Sequence, residues 1–163
     1  MMKFLTKPVT LWILFALFIL QTAGFAVIMA VWDFEVIDEI SDPEKVRLHI
    51  AEMSALQKSV HAWTTATLDV AYPLTYGALF AGLAWRAFKP LYALPAIAVI
   101  PTDLAEGFVQ VMALTGNSDL VWLKAYLTPA KLTLFFAAIA IAVAALGMEY
   151  LRRRKSKNDS LEA

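Results

Sequence analysis

PVTLWILFALFILQTAGFAVIMAVW, the run from Pro8 to Trp32, carries only Thr10, Gln21 and Thr22 as clearly polar side chains. At about 1.5 Å of rise per residue, a helix of this length crosses a hydrocarbon core of about 30 Å. The residues before it, Met1 to Lys7, have the basic character of a signal-peptide start, and Gly24-Phe25-Ala26 has the small-x-small form of a cleavage site. Because the apolar run continues beyond that site to Trp32, a retained membrane helix is expected.

Working outward, three more apolar stretches follow: His61–Trp85, Leu91–Leu114 and about Ala130–Leu151. Hydrophobic residues make up 60% of the 163-residue chain and mean hydropathy is +0.63, above the roughly 45–50% apolar share of a soluble domain. The spans consume more than half the length, which leaves no room for a separate soluble catalytic domain. The connections Arg86–Pro90 and Thr115–Pro129 are short, so neighbouring helices run antiparallel. The expected fold is all-α: one transmembrane domain, 1–151, built as a four-transmembrane-helix antiparallel bundle with spans at about 8–32, 61–85, 91–114 and 130–151. Residues 152–163 form a charged tail, read as disordered.

Charge placement orients the bundle. Formal net charge is zero, but Lys3, Lys7, Arg86, Lys89, Arg152, Arg153, Arg154, Lys155 and Lys157 all fall on one side of a four-span chain. The positive-inside rule makes that side, with both termini, cytoplasmic, and the location read from it is a bacterial inner membrane. Trp32, Trp63, Trp85, Trp122, Tyr126 and Tyr150 lie near span ends, as aromatic belts require. On the opposite side, Asp33 to Val60 is an acidic loop in which seven carboxylates outnumber Lys45, Arg47 and Lys58. Ser41-Asp42-Pro43-Glu44 reads there as a helix start, with Ser41 or Asp42 as cap and Pro43 in the first turn. Val46, Ile50, Met53 and Leu56 or Gln57 then recur at helical spacing. A short amphipathic helix lying on the bundle and a soluble extension of the second span fit this pattern equally.

Asp69, Asp103 and Glu106 interrupt spans two and three, where an acidic residue costs about 2.5 to 3.5 kcal/mol at the bilayer centre. Counted along the helices from the acidic side, Asp69 and Glu106 each lie roughly 12 Å deep, with Asp103 about a turn deeper and Gln21 at roughly 16 Å. Asp103, Glu106 and Gln110 share one stripe of the third span, and Thr65, Asp69, Tyr72, Tyr76 and Phe80 share one of the second. Pro73 and Pro101 sit beside these carboxylates and interrupt the helix hydrogen bonds there. The pattern suits a ligand pocket lined by Gln21, Asp69, Tyr72, Tyr76, Asp103, Glu106, Gln110 and Lys131, but a satisfied polar knot that fixes helix register would use the same residues. Lys131, at the outer end of its span, is expected to snorkel to water.

The layout from His61 to Leu146 resembles the EXPERA family, which includes emopamil-binding sterol isomerases and sigma-two-receptor-type proteins. The resemblance rests on Leu68-Asp69-Val70-Ala71-Tyr72-Pro73, on Pro95-Ala96-Ile97 and on Glu106-Gly107-Phe108-Val109. It implies a cavity for sterols and other lipophilic, often cationic, ligands, with Asp69 and Glu106 facing the ligand. Isomerase-type members pair a histidine with a glutamate on one helix. Here Asp103 takes the neighbouring position and no histidine is available, which weakens the case for isomerisation more than that for binding.

The expected function is an integral membrane protein that holds a small lipophilic or amphipathic ligand in an intramembrane pocket, with membrane lipids as surroundings. An enzyme acting on a lipid or sterol-like substrate stays open, with Asp69, Asp103 and Glu106 as candidate catalytic acids and bases. So do an accessory subunit of a membrane complex, a homo-oligomer and a proton-coupled transporter. The chain has no cysteine, no nucleophile elbow, no Gly-rich phosphate loop and no dinucleotide fingerprint. Nucleic acid, a bound metal and a cofactor are not expected; His49 and Glu52 are a single i, i+3 pair without a second copy.

Overall fold

A computed structural model describes residues 2–33 and 35–159; the last four residues of the expected tail, 160–163, lie outside it. The regular structure of these residues is all helical, with no strand among them. The helices are α1 (Met2–Leu5), α2 (Pro8–Trp32), α3 (Pro43–Glu52), α4 (Ala55–Ala87), α5 (Leu94–Leu114) and α6 (Lys124–Asp159). Short 3₁₀ turns, Pro90–Ala93 and Val121–Leu123, lead into α5 and α6. Three segments, Pro8–Trp32, Pro90–Leu114 and Val121–Lys155, are long and apolar enough to cross a membrane, the makeup of a multi-pass membrane protein.

The expected helix in the acidic segment is separate from α4. Asp42 is its cap: Oδ1 accepts from the backbone N–H of Glu44 at 3.0 Å and of Lys45 at 3.5 Å, and Pro43 occupies the first turn. The chain then breaks at Met53. Ser54 starts α4 with a reciprocal capping box: its hydroxyl accepts from Gln57 N–H at 3.2 Å, and Gln57 Oε1 accepts from Ser54 N–H at 2.9 Å. Two consecutive cap signals are the local reason that 43–87 is two helices. Val46 and Met53 bury their side chains with Ile37, Ala62, Leu114 and Val121, so α3 lies across the end of the bundle.

α4 is the hub. It packs against α2, α5 and α6, while α5 also packs on α6 and α2 makes its extended contact with α4 alone. Its 33 residues span roughly 50 Å, but Lys58, His61, Thr64, Thr65, Thr67 and Asp69 hold its hydropathy below that of the other three. Small residues set the close approaches. A Cβ on Gly77 would meet Ile100 Cγ1 at 2.5 Å and the Ala96 carbonyl oxygen at 2.9 Å, and one on Gly82 would meet the Leu5 carbonyl oxygen at 2.7 Å. Ala138 and Ala142 likewise face inward, in the core with Tyr76, Leu79, Phe80, Ala84 and Val99.

At the end opposite α3, Arg86 donates to Glu149 Oε1 at 2.5 Å, and Arg153 pairs with the same oxygen at 2.8 Å. The basic ends of α4 and α6 therefore meet, which requires the antiparallel course the short connections predict. α6 differs from expectation at both limits. It starts at Lys124, because Pro129 falls in its first two turns and needs no break there, and it carries the tail expected to be disordered onward as helix to Asp159.

Candidate functional site

The stripes on α4 and α5 face each other. Tyr76 donates its hydroxyl hydrogen to Asp103 Oδ2 at 2.6 Å, joining two side chains that are both buried. One turn up α5, Glu106 is fully enclosed. Its Oε1 is the acceptor for both the Lys124 ammonium and the Thr128 hydroxyl, and its Oε2 lies 2.5 Å from Lys131 Nζ. Lys131 also reaches Asp103 Oδ1 at 3.3 Å and, more remotely, Asp38 Oδ1 at 4.0 Å. Gln110 donates from Nε2 to the same Asp38 oxygen at 2.5 Å. The snorkelling expected of Lys131 does not occur: its side chain is only 11% exposed, because its ammonium turns inward to two carboxylates on α5.

Asp69 is treated differently by the fold. It is 9% exposed, and among the described residues it makes no hydrogen bond and no ion pair. Gly107 lets α5 come close beside it; a Cβ there would stand 3.5 Å from Asp69 Oδ2. Pro73 lacks the N–H that would bond the Asp69 carbonyl, so the backbone at this turn is also short of a donor. Asp69 lines a cavity of about 240 Å³ together with Tyr72, Tyr76, Asp103, Lys131, Leu132 and Phe135 of α4, α5 and α6. Phe25 and Met29 of α2 and Val36, Asp38 and Glu39 of the segment after α2 complete its wall.

The aromatic side is well ordered. Tyr72 stacks on Phe18 with ring centres 5.4 Å apart, meets Tyr76 edge-on at 5.2 Å and donates to or accepts from the Thr22 hydroxyl at 3.1 Å. Phe135 meets Tyr76 edge-on at 5.0 Å. The cavity thus presents aromatic and aliphatic walls with an acidic floor. Asp38, Asp69, Asp103 and Glu106 lie within electrostatic reach of one another, with Lys124 and Lys131 as the counter-ions and buried His61 beside Asp38 and Lys124. Four acids face two ammonium groups in this layer.

Of the side chains singled out by sequence, Asp69, Tyr72, Tyr76, Asp103 and Lys131 meet at the cavity. Glu106 and Gln110 sit behind it in the paired layer. Gln21 corrects the expected lining: α2 reaches the cavity with Phe25 and Met29, one and two turns further on, and the buried Gln21 Oε1 lies away from it without a hydrogen bond. Asp38, Lys124 and Thr128 are functional neighbours that sequence reasoning missed. Lys124, Thr128 and Lys131 follow i, i+4, i+7 spacing, a signal available in the sequence, whereas nothing local marks Asp38 among its acidic neighbours.

Comparison of the chain with known protein families, with curated proteins and with solved structures finds no match.

Proposed function

We propose that the protein is a four-crossing membrane bundle that holds a small lipophilic or amphipathic molecule in the cavity beside Asp69, with the ligand's polar end on that carboxylate. The observation carrying this reading is a buried acid without a partner at the floor of an aromatic-walled cavity. A buried charge without compensation is costly, so a structural role alone gives no reason to keep it there. The excess of acid over base around it favours a head group that is positively charged or donates hydrogen bonds, and the EXPERA resemblance points the same way. α4 serves as the fourth crossing. Its polar residues do not forbid this, because His61, Thr64, Thr65 and Asp69 are buried against the neighbouring helices rather than facing lipid. The gathering of Arg86, Arg153 and their basic neighbours at one end supports the cytoplasmic placement of that end.

The test is thermal unfolding of the purified protein in uncharged detergent, with a long-chain alkylamine, the matching alcohol and the matching alkyl sulfate as probes. Stabilisation by amine and alcohol but not by sulfate, abolished in Asp69→Asn, supports the pocket. Equal response of Asp69→Asn and the parent protein to all three probes overturns it.

A second reading is favoured by one further contact. Tyr76 and Asp103 form a hydrogen-bonded acid pair on the same wall as Asp69, the arrangement needed for proton transfer to and from a bound lipid or sterol-like substrate. Tyr76→Phe separates the readings: an enzyme loses turnover while keeping its ligand, and a binding protein keeps its ligand with nothing else to lose.

A further inference from the structure

The segment after α2 separates two cavities. On the membrane side is the Asp69 cavity; on the other is a second one of about 330 Å³, which opens among the exposed Asp33, Glu35 and Glu52 and is also lined by His49. Met29 lines both. Consecutive residues of the segment divide between them: Glu35 faces the second cavity, whereas Val36, Asp38 and Glu39 face the first. Met29 and the irregular backbone of this segment are therefore a wall common to both cavities.

That backbone is lightly held. Asp33 ends α2 in the left-handed conformation at φ 48°, and among the described residues between it and α3 the backbone makes a single turn, in which Ile40 N–H bonds the Ile37 carbonyl at 3.2 Å. Four contacts fasten it: His49 Nε2 donates to the Glu35 carbonyl at 3.2 Å, Ile40 packs beside the cluster that holds Ile37, and Ile37 and Asp38 make the other two. Ile37 is fully buried in the cluster with Val46 and Leu114, and Asp38 clips onto Gln110 and Lys131. None of these contacts is a helix's own backbone hydrogen bond, so the strap can open locally while the helices keep theirs, since local opening follows the number of buried contacts that hold a segment.

We propose that residues 35–40 form a lid between an aqueous vestibule and the Asp69 cavity, so that the polar end of a ligand enters from the water side past Met29 rather than only through the lipid. The ligand's identity rests on the function proposed above; the route itself does not, and can be tested with no ligand present. Because the chain contains no cysteine, Leu132→Cys places a single thiol on the cavity wall. The full-length protein in lipid nanodiscs is treated with a permanently charged, membrane-impermeant methanethiosulfonate reagent.

Slow modification is expected with the lid intact. Adding Ile37→Ser should accelerate it about tenfold or more, the change in open population expected when a buried isoleucine anchor is lost. Adding Met29→Trp, which thickens the partition, should slow it. Asp38→Asn leaves the Ile37 anchor in place and carries the test if Ile37→Ser does not yield folded protein, as judged by helical circular dichroism. A modification rate unchanged by Asp38→Asn and Met29→Trp overturns the lid, as does rapid reaction with a lipid-soluble thiol reagent while the charged one fails in every variant. Neither result touches the amine selectivity of Asp69, so failure of the route and failure of the pocket are separate outcomes.

Discussion

Glu106 and Asp69 are carboxylic acids at neighbouring depths on touching helices, and the fold gives them opposite surroundings. Glu106 is closed in by Lys124, Thr128 and Lys131 and has no exposed surface. Asp69 keeps a sliver of exposure, no partner among the described residues, and an aromatic cavity in front of it. One acid joins α5 to α6, and the other, on the function proposed above, is the one that meets a ligand. Burial alone does not separate these two surroundings; the presence of partners does.

The largest expected effect comes from Glu106→Gln, which leaves two buried ammonium groups facing an amide. It should cost about 3 to 5 kcal/mol and be read as a deep fall in melting temperature. Asp69→Asn should move stability by well under that, within about 1 kcal/mol, since no pair is broken. Equal losses in the two variants would collapse the distinction between them.

Two glycine substitutions sharpen it with opposite signs. Gly77→Ala drives a Cβ against the Ala96 carbonyl oxygen and should cost about 1 to 3 kcal/mol in melting experiments. Gly107→Ala meets only ordinary contacts at 3.4 Å and 3.5 Å, so it should gain up to about 1 kcal/mol of helix stability. By placing a methyl beside Asp69 Oδ2, it should also weaken alkylamine stabilisation.

The smallest effect lies outside the membrane. Arg47 Nε donates to Asp119 Oδ2 at 2.9 Å, tying α3 to the turn before α6. That hydrogen bond, helped by one from Val121 N–H, holds the Asp119 carboxyl below the ordinary carboxylate range. A depressed value means that the clamp contributes above about pH 4 and is lost as pH falls through it. Asp119→Asn should therefore lower melting temperature slightly at neutral pH and remove the corresponding part of the acid-induced drop. An identical acid profile in parent and variant would show that the clamp contributes nothing.

Much of this was legible in the sequence where it depends on spacing along one helix. The i, i+3, i+7 stripe of Asp103, Glu106 and Gln110 is buried as its periodicity requires, with Asp103 meeting Tyr76, and Asp42-Pro43 marks the start of α3. What escaped were the relations between segments distant in sequence. Pro129 disguised the first turns of α6 as loop and hid Lys124 and Thr128, although their spacing to Lys131 was regular. Lys131 was read as reaching for water because its distance to Glu106 depends on how α5 and α6 pack. Asp38 is one acid among seven between Asp33 and Val60 and lies in the irregular part before α3, so only tertiary structure brings it to Gln110.

The hub position of α4 has a consequence for how the chain is made. With Asp69, His61 and its threonines uncovered, α4 is a poor candidate to dwell alone in lipid between release from the insertion machinery and assembly. α2 can wait, since its sequence satisfies the hydrocarbon by itself. If α4 is the fourth crossing, it enters the bilayer as a hairpin with α5, whose Asp103 accepts the Tyr76 hydroxyl hydrogen and shares the polar load. Synthesis stalled after α4 but before α5 should leave that helix outside the membrane, while synthesis stalled after α5 should leave both within it.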